Sequence, residues 1–216
     1  SFLNCVLGRT GDSKLVSVII NDPANKADGP ADKSSIVDAR CTDQKGRQYI
    51  IEMQVEKQKH FPQRAQYYVA HALTSQLSRA SIYQQIVPVI FVGIMDFSLF
   101  KNPDYLSHHL ILDTKSYQQE LAMSEYHFIE LPKFKKKLEE LSTDLEKWIY
   151  FLKCADTLKE VPKNYQQDQP FESAFDVLNY GALSEDEKEA YFFMVESKRV
   201  ATDVRETAFE DGEKRG

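Results

Sequence analysis

Hydrophobic and polar positions change period several times along the chain, and each change marks an element. Phe2 to Leu7 is apolar and stops at Gly8, the pattern of a short core-facing helix. Lys14 to Ile20, KLVSVII, reads as a strand. Asn21 to Lys33 holds prolines, a glycine and several Asp and Asn residues, so it is a loop leading into two β-rich runs, Ser35 to Cys41 and Gln48 to Val55. The polar cluster Asp43-Gln44-Lys45-Gly46 between those runs predicts a β-hairpin. His60 to Ser78 lacks glycine, carries Pro62 early and spaces Phe61, Ala65, Tyr68, Ala72 and Leu77 at near-helical intervals, which predicts a helix.

Beyond it, Ile86 to Ile94 is almost unbroken in apolar character, as expected of a central strand buried on both faces. Leu106 to Leu112 and Glu125 to Leu131 read as further strands, giving a mixed sheet of roughly five strands. From Pro132 the pattern turns helical, with Phe134, Leu138, Leu141, Leu145, Trp148 and Leu152 at three-and-four spacing. Lys159 to Pro170 is polar and loop-like. Phe171 to Tyr180 and Ser184 to Phe209 are expected as the last helices, the second opening on the capping box Ser184-Glu185-Asp186-Glu187.

The hairpin has a consequence for chemistry. With a three-residue loop, Gln44 to Gly46, and Gly46 left-handed, Asp43 pairs with Arg47 and Asp38 falls opposite Glu52. Ile50, Glu52 and Gln54 then share one face, and Ile51, Met53 and Val55 the other. Directly opposed β-carbons lie roughly 4.5 to 5.5 Å apart, close enough for two carboxylates to share a divalent cation. A two-residue loop would instead set Asp38 against Met53. On the following helix Arg64, Tyr67, Tyr68 and His71 can form one polar-aromatic stripe, readable as phosphate-contacting or as tyrosines packed on the sheet beside a solvated arginine.

Composition narrows the class. A chain of 216 residues suits one domain with a helical extension, residues 1–135 and 136–216. The longest apolar run, Ile86 to Met95, is too short for a membrane span of about 20 residues, so no membrane partner is expected. Cys5, Cys41 and Cys154 are odd in number and widely spaced, which argues against a disulfide framework and for a reducing cytoplasm. The chain opens on Ser1 within a helical stretch, without a secretory signal, so a further segment upstream is expected. Net charge is −6 but uneven: residues 1–135 carry 15 basic and 14 acidic side chains, residues 136–216 carry 12 and 19. The neutral first part permits a nucleic-acid partner but supplies no strong basic patch, so charge alone leaves the partner open.

Acids on adjacent strands, with a hydrogen-bonding side chain two residues beyond the second, can support metal-assisted phosphodiester hydrolysis. Mg²⁺ takes oxygen ligands and is commonly held by one or two carboxylates plus substrate phosphate. Gln54 could orient water, but it is neither cation nor base at neutral pH. On spacing alone, Asp and Glu on the exposed face of a hairpin are more often solvated than catalytic. His60, His71, His108, His109 and His127 show no zinc-site spacing, and adjacent His108 and His109 should point to opposite faces, so they read as surface or satisfied histidines. No nucleophile elbow or triad context surrounds a Ser or Cys.

Asp38, the strand-turn-strand, Ile51-Glu52-Met53-Gln54 and Arg64-Ala65-Gln66-Tyr67-Tyr68 together resemble the recombination-promoting nuclease and transposase family of the PD-(D/E)XK superfamily. The resemblance extends through Ile86 to Asp96, the segment His127-Phe128-Ile129-Glu130-Leu131-Pro132-Lys133-Phe134, and Trp148. It implies an α/β, restriction-endonuclease-like core with a mixed sheet flanked by helices, extended by an acidic helical C-terminal region. The implied activity is divalent-metal-dependent DNA endonuclease, tied to recombination or mobile elements, with Mg²⁺ or Mn²⁺ as cofactor. By position Asp38 and Glu52 would be catalytic metal ligands, the Met53 backbone carbonyl a third, and Gln54 would stand where the superfamily more often has lysine. Lys57, Lys59, Arg64, Tyr67 and Tyr68 are the candidate DNA contacts. DNA is the implied partner, with self-association into a homo-oligomer left open. The competing expectation is a catalytically weak DNA- or protein-binding module that keeps the nuclease fold.

Overall fold

A computed structural model describes residues 2–21, 24–25, 35–36, 39–57, 59–77 and 82–154, and the single positions 162, 165, 170, 171 and 174. The chain divides into two compact units, Ser1–Cys154 and Ala155–Gly216. In the second, the Tyr165 and Phe171 rings meet edge to face at 5.0 Å. The expected helices Phe171 to Tyr180 and Ser184 to Phe209 lie outside the described residues, apart from the isolated positions named.

The first unit runs α1 (Phe2–Val6), β1 (Val18–Asn21), β2 (Ala24–Asn25), β3 (Ser35–Ile36), β4 (Ala39–Asp43), β5 (Gln48–Gln54), α2 (Phe61–Thr74), β6 (Val89–Met95), β7 (Leu106–Leu110), β8 (Ser124–Glu130) and α3 (Asp144–Cys154). Six strands form one mixed sheet in the order β1-β4-β5-β6-β8-β7. β5, β6 and β8 are parallel to one another, and β1, β4 and β7 join antiparallel. The sheet therefore has one strand more than the pattern suggested. All of β6 is buried, as its apolar run requires of a strand covered on both faces.

Alternation along the strands sorts side chains into two cores. Cys41, Tyr49, Ile90, Val92, Ile94 and Ile129 meet α1 and α3 on one face, where Phe2 sits edge to face against Trp148 at 5.9 Å. Ile50, Phe91, Met95 and Phe128 meet Phe61, Ala65, Val69 and Ala72 of α2 on the other. Gly93 belongs to this second face. A β-carbon there would lie 2.9 Å from Phe128 and 3.0 Å from Phe91, so the rings occupy the space its missing side chain leaves.

The hairpin has the expected loop. Gly46 has φ of +80°, Gly46 N–H donates to the Asp43 carbonyl at 2.9 Å, and Asp43 N–H donates to the Arg47 carbonyl at 3.1 Å. Asp43 anchors the turn: Oδ1 accepts from the Lys45 and Arg47 backbone, and Oδ2 accepts from Arg47 Nε at 2.7 Å and the Tyr49 hydroxyl at 2.8 Å. Burial alone would raise its pKa, but these donors outweigh burial and hold the carboxyl below its ordinary value.

Two expectations are corrected. The described residues between Ser35 and Cys41 fall in two pairings: β3 pairs with β2 in a separate ribbon, and β4 enters the main sheet. The pairings are offset, with Asn21 opposite Arg40 but Ala24 opposite Ile36, and a one-residue offset cannot be carried by a continuous ladder. Nor does the helix begin at Pro132. Leu131–Lys133 and Leu138–Glu140 are single 3₁₀ turns, and α3 starts only at Asp144. Tertiary contacts override the helical spacing here: Phe134 is buried against Tyr105 at 5.1 Å, and its carbonyl accepts from Lys153 Nζ. Among the described residues no helix is long and apolar enough to cross a membrane.

Two stability experiments follow. Gly93→Ala should lower unfolding free energy by about 1–3 kcal/mol through overpacking, read as a lower urea midpoint. Asp43→Asn should cost about 1–3 kcal/mol at neutral pH. Because the folded-state pKa of Asp43 is depressed, its contribution is complete above about pH 4 and lost as pH falls through the folded value, so the wild type and the variant should converge in acid.

Candidate active site

The site is built on the α2 face of β5. Glu52 pairs in register with Gly93 and Phe128, and Gln54 with Met95 and Glu130. Above them, Phe61 opens α2 and is fully buried, edge to face with Phe91, Phe97 and Phe128 at 6.1–6.2 Å. That seating fixes the first turn of α2. Arg64 stands three residues on, so it shares Phe61's side of the helix and reaches the sheet. Its Cζ lies 5.1 Å from the Phe61 ring centroid and 5.8 Å from that of Tyr68. Its Nη2 donates to Glu52 Oε1 at 3.0 Å and to Gln54 Oε1 at 2.6 Å.

The Glu52 side chain is only 9% exposed, and a buried carboxylate needs a cation or a set of donors to remain ionised. Arg64 supplies the cation. Two oxygens two residues apart on one strand thus converge on one positively charged nitrogen, an internal stand-in for a metal ion. The donor set, a carboxylate and an amide oxygen, is the hard-oxygen kind that suits Mg²⁺ or Mn²⁺. By both observations the residues present fit such a cation.

Asp38 lies outside the described residues. The neighbouring pairs, Ala39 with Ile51 and Arg40 with Ile50, follow the register on which the facing of positions 38 and 52 was expected. Met53 belongs by alternation to the opposite face and is partly exposed, so only its backbone can serve the Glu52 side. Lys57 and Lys59 are exposed in the segment joining β5 to α2. Tyr67 is exposed and Tyr68 half-buried; the Tyr67 ring lies 6.2 Å from Tyr68 and 6.0 Å from His71, so the expected stripe exists as a run of ring contacts.

Two features of this face escaped the sequence reading. Arg40 is half-buried on β4, and its guanidinium pKa is drawn down by burial against an opposing pull from Tyr68, which places it on the side of Glu52 and α2. Its even-numbered position between 38 and 42 was the available signal. The second is Glu130, completely buried in the row of Gln54. Its Oε1 accepts from the Leu99 and Phe100 backbone, and its Oε2 pairs with Lys133 Nζ at 2.6 Å. Lys133 also donates to the Phe100 and Asn102 carbonyls, so the pair clamps the loop leaving β6 beside the site. No periodicity argument reaches a salt bridge that serves backbone groups some 30 residues away.

The family model for the PD-(D/E)XK nuclease family transposase matches residues 1–207. The chain belongs to that family, and the six-stranded mixed sheet with helices on both faces is its restriction-endonuclease-like α/β fold. Comparison with curated proteins and with solved structures returned no match.

The Arg64 arrangement is testable without a nuclease assay. Arg64→Ala should destabilise the protein by about 1–3 kcal/mol by leaving Glu52 short of its cation. Millimolar Mg²⁺ or Mn²⁺ should then raise the melting temperature of the variant more than that of the wild type, as read by thermal denaturation with and without the ion.

Proposed function

We propose that this protein is a divalent-metal-dependent DNA endonuclease acting in recombination or on mobile elements. The observation that carries the reading is the convergence of Glu52 and Gln54 on a single cation, in a chain of a nuclease-transposase family. Asp38 and Glu52, with the Met53 backbone carbonyl, would hold Mg²⁺ or Mn²⁺. When bound, such an ion lowers the pKa of water and stabilises charge on phosphoryl oxygens.

The remaining roles fall to the protein's own groups. Gln54 orients the attacking water through its amide and supplies no charge, so positive charge must come from elsewhere on this face. Arg64, released from Glu52, offers a planar fork suited to a phosphate, and the neighbouring Tyr67 and Tyr68 offer ring faces to nucleotides. Lys57 and Lys59, both exposed, neutralise backbone phosphates further along the strand. The acidic region 136–216 serves as a protein-contact surface rather than a DNA-contact one. The odd number and wide spacing of Cys5, Cys41 and Cys154 support a cytoplasmic setting.

One observation favours a second reading. Because Arg64 already neutralises Glu52, the fold could persist as a DNA- or protein-binding module that never exchanges this arginine for a metal. Nicking of supercoiled plasmid in Mg²⁺ or Mn²⁺ separates the two. Glu52→Gln and Asp38→Asn, with circular dichroism confirming the fold, should each lower nicking by ~10²-fold or more, beyond the 10–100-fold of outer-shell partners. Equal cutting by the wild type and both variants would overturn the site, whereas DNA bound but uncut by the wild type would favour the binding module.

A further inference from the structure

The opposite face of the sheet carries a second convergence of metal-binding groups. β7 lies antiparallel to β8 with His108 opposite His127, and Glu125 precedes His127 by two residues, hence on the same face. The two imidazoles stack at 4.2 Å between centroids with planes 13° apart. Both aim Nε2 at one oxygen: Glu125 Oε1 is 2.9 Å from His108 and 2.8 Å from His127. Three ligand atoms from three side chains thus lie within 4.8 Å of one another.

A purely structural hydrogen-bonded triad explains this poorly. His127 is buried, and its Nδ1 has no hydrogen-bond partner, a cost that an apolar residue at this position would not carry. What the geometry achieves is to bring two Nε2 atoms and a carboxylate oxygen to one point. His109 takes no part, since its ring packs on the other face against Phe100 and Phe128.

We propose that His108, Glu125 and His127 form a Zn²⁺ site that clips the edge strand β7 to β8. Two imidazole nitrogens and one carboxylate oxygen are a zinc donor set, whereas Mg²⁺ and Mn²⁺ favour oxygen alone. Tetrahedral coordination at about 2.0–2.1 Å spaces ligand atoms roughly 3.3 Å apart, so the pairs now at 2.8–2.9 Å need open by only about half an ångström. β7 ends the sheet and the His108 side chain is 44% exposed, which leaves an approach for the ion and a remaining position for solvent. The site lies on the sheet face away from Glu52, so its existence is independent of the nuclease reading.

The test is equilibrium dialysis of the whole chain against Zn²⁺ with metal quantitation, and Co²⁺ as a spectroscopic substitute. The wild type should bind one tight equivalent, with a visible Co²⁺ absorption typical of mixed nitrogen and oxygen ligation and a rise in melting temperature on adding Zn²⁺. His108→Ala, chosen because its exposure makes the fold tolerant, and Glu125→Gln should each weaken Zn²⁺ binding by more than ~10-fold and abolish the thermal shift. Glu52→Gln should leave the equivalent in place. No Zn²⁺ bound by the wild type, equal binding by His108→Ala, or loss of binding in Glu52→Gln would each overturn the proposal.

Discussion

The seating of Phe61 among Phe91, Phe97 and Phe128 governs the geometry of the whole α2 face. It is a dense edge-to-face cluster at the point where α2 begins, directly over the central parallel strands. Two sequence details make room for it. Gly93 lets Phe128 settle onto the sheet, and the arginine one helical turn beyond Phe61 lies over the Phe61 ring before reaching Glu52 and Gln54. A rotation of α2 about its axis would expose Phe61 and withdraw Arg64 together. Packing and charge placement are thus one constraint.

Around that constraint the sheet divides its labour. β5 and β6 are central, and their C-terminal ends carry Gln54, Met95 and the start of the loop gripped by Glu130 and Lys133. The flanking antiparallel strands are more specialised. β4 brings Arg40 toward the α2 side, held to β5 by a turn that Asp43 locks with backbone and side-chain acceptances. β7, at the far edge, meets β8 through a pair of stacked histidines. Each strand addition places polar groups where a fully apolar sheet would have none.

Much of this was legible from residue patterns. The hairpin register followed from Gly46 and loop length, and the buried central strand from IVPVIFVGI. The shared face of Glu52 and Gln54 followed from their parity. Failures came where the deciding interaction is remote in sequence. Helical spacing after Pro132 could not foresee that Phe134 and Lys133 are claimed by Tyr105, Glu130 and the loop at Phe100. Histidine spacing along the chain does not reveal that His108 meets His127 across a strand pair, a contact that exists only once β7 and β8 are aligned. Arg64 was readable as phosphate-contacting or as solvated; its pairing with Glu52 and Gln54 reflects the demand of a nearly buried carboxylate, invisible before the helix is docked.

That inward arginine gives Glu52 a counter-charge from the protein itself. On the nuclease reading, ion loading is a substitution of one cation for another and not the filling of a void, so the protein can fold and persist where divalent ions are scarce. Arriving DNA would favour the substitution, because its phosphates offer the displaced guanidinium a new counter-charge. On that reading the chain would be inert by default and switched on by its own substrate.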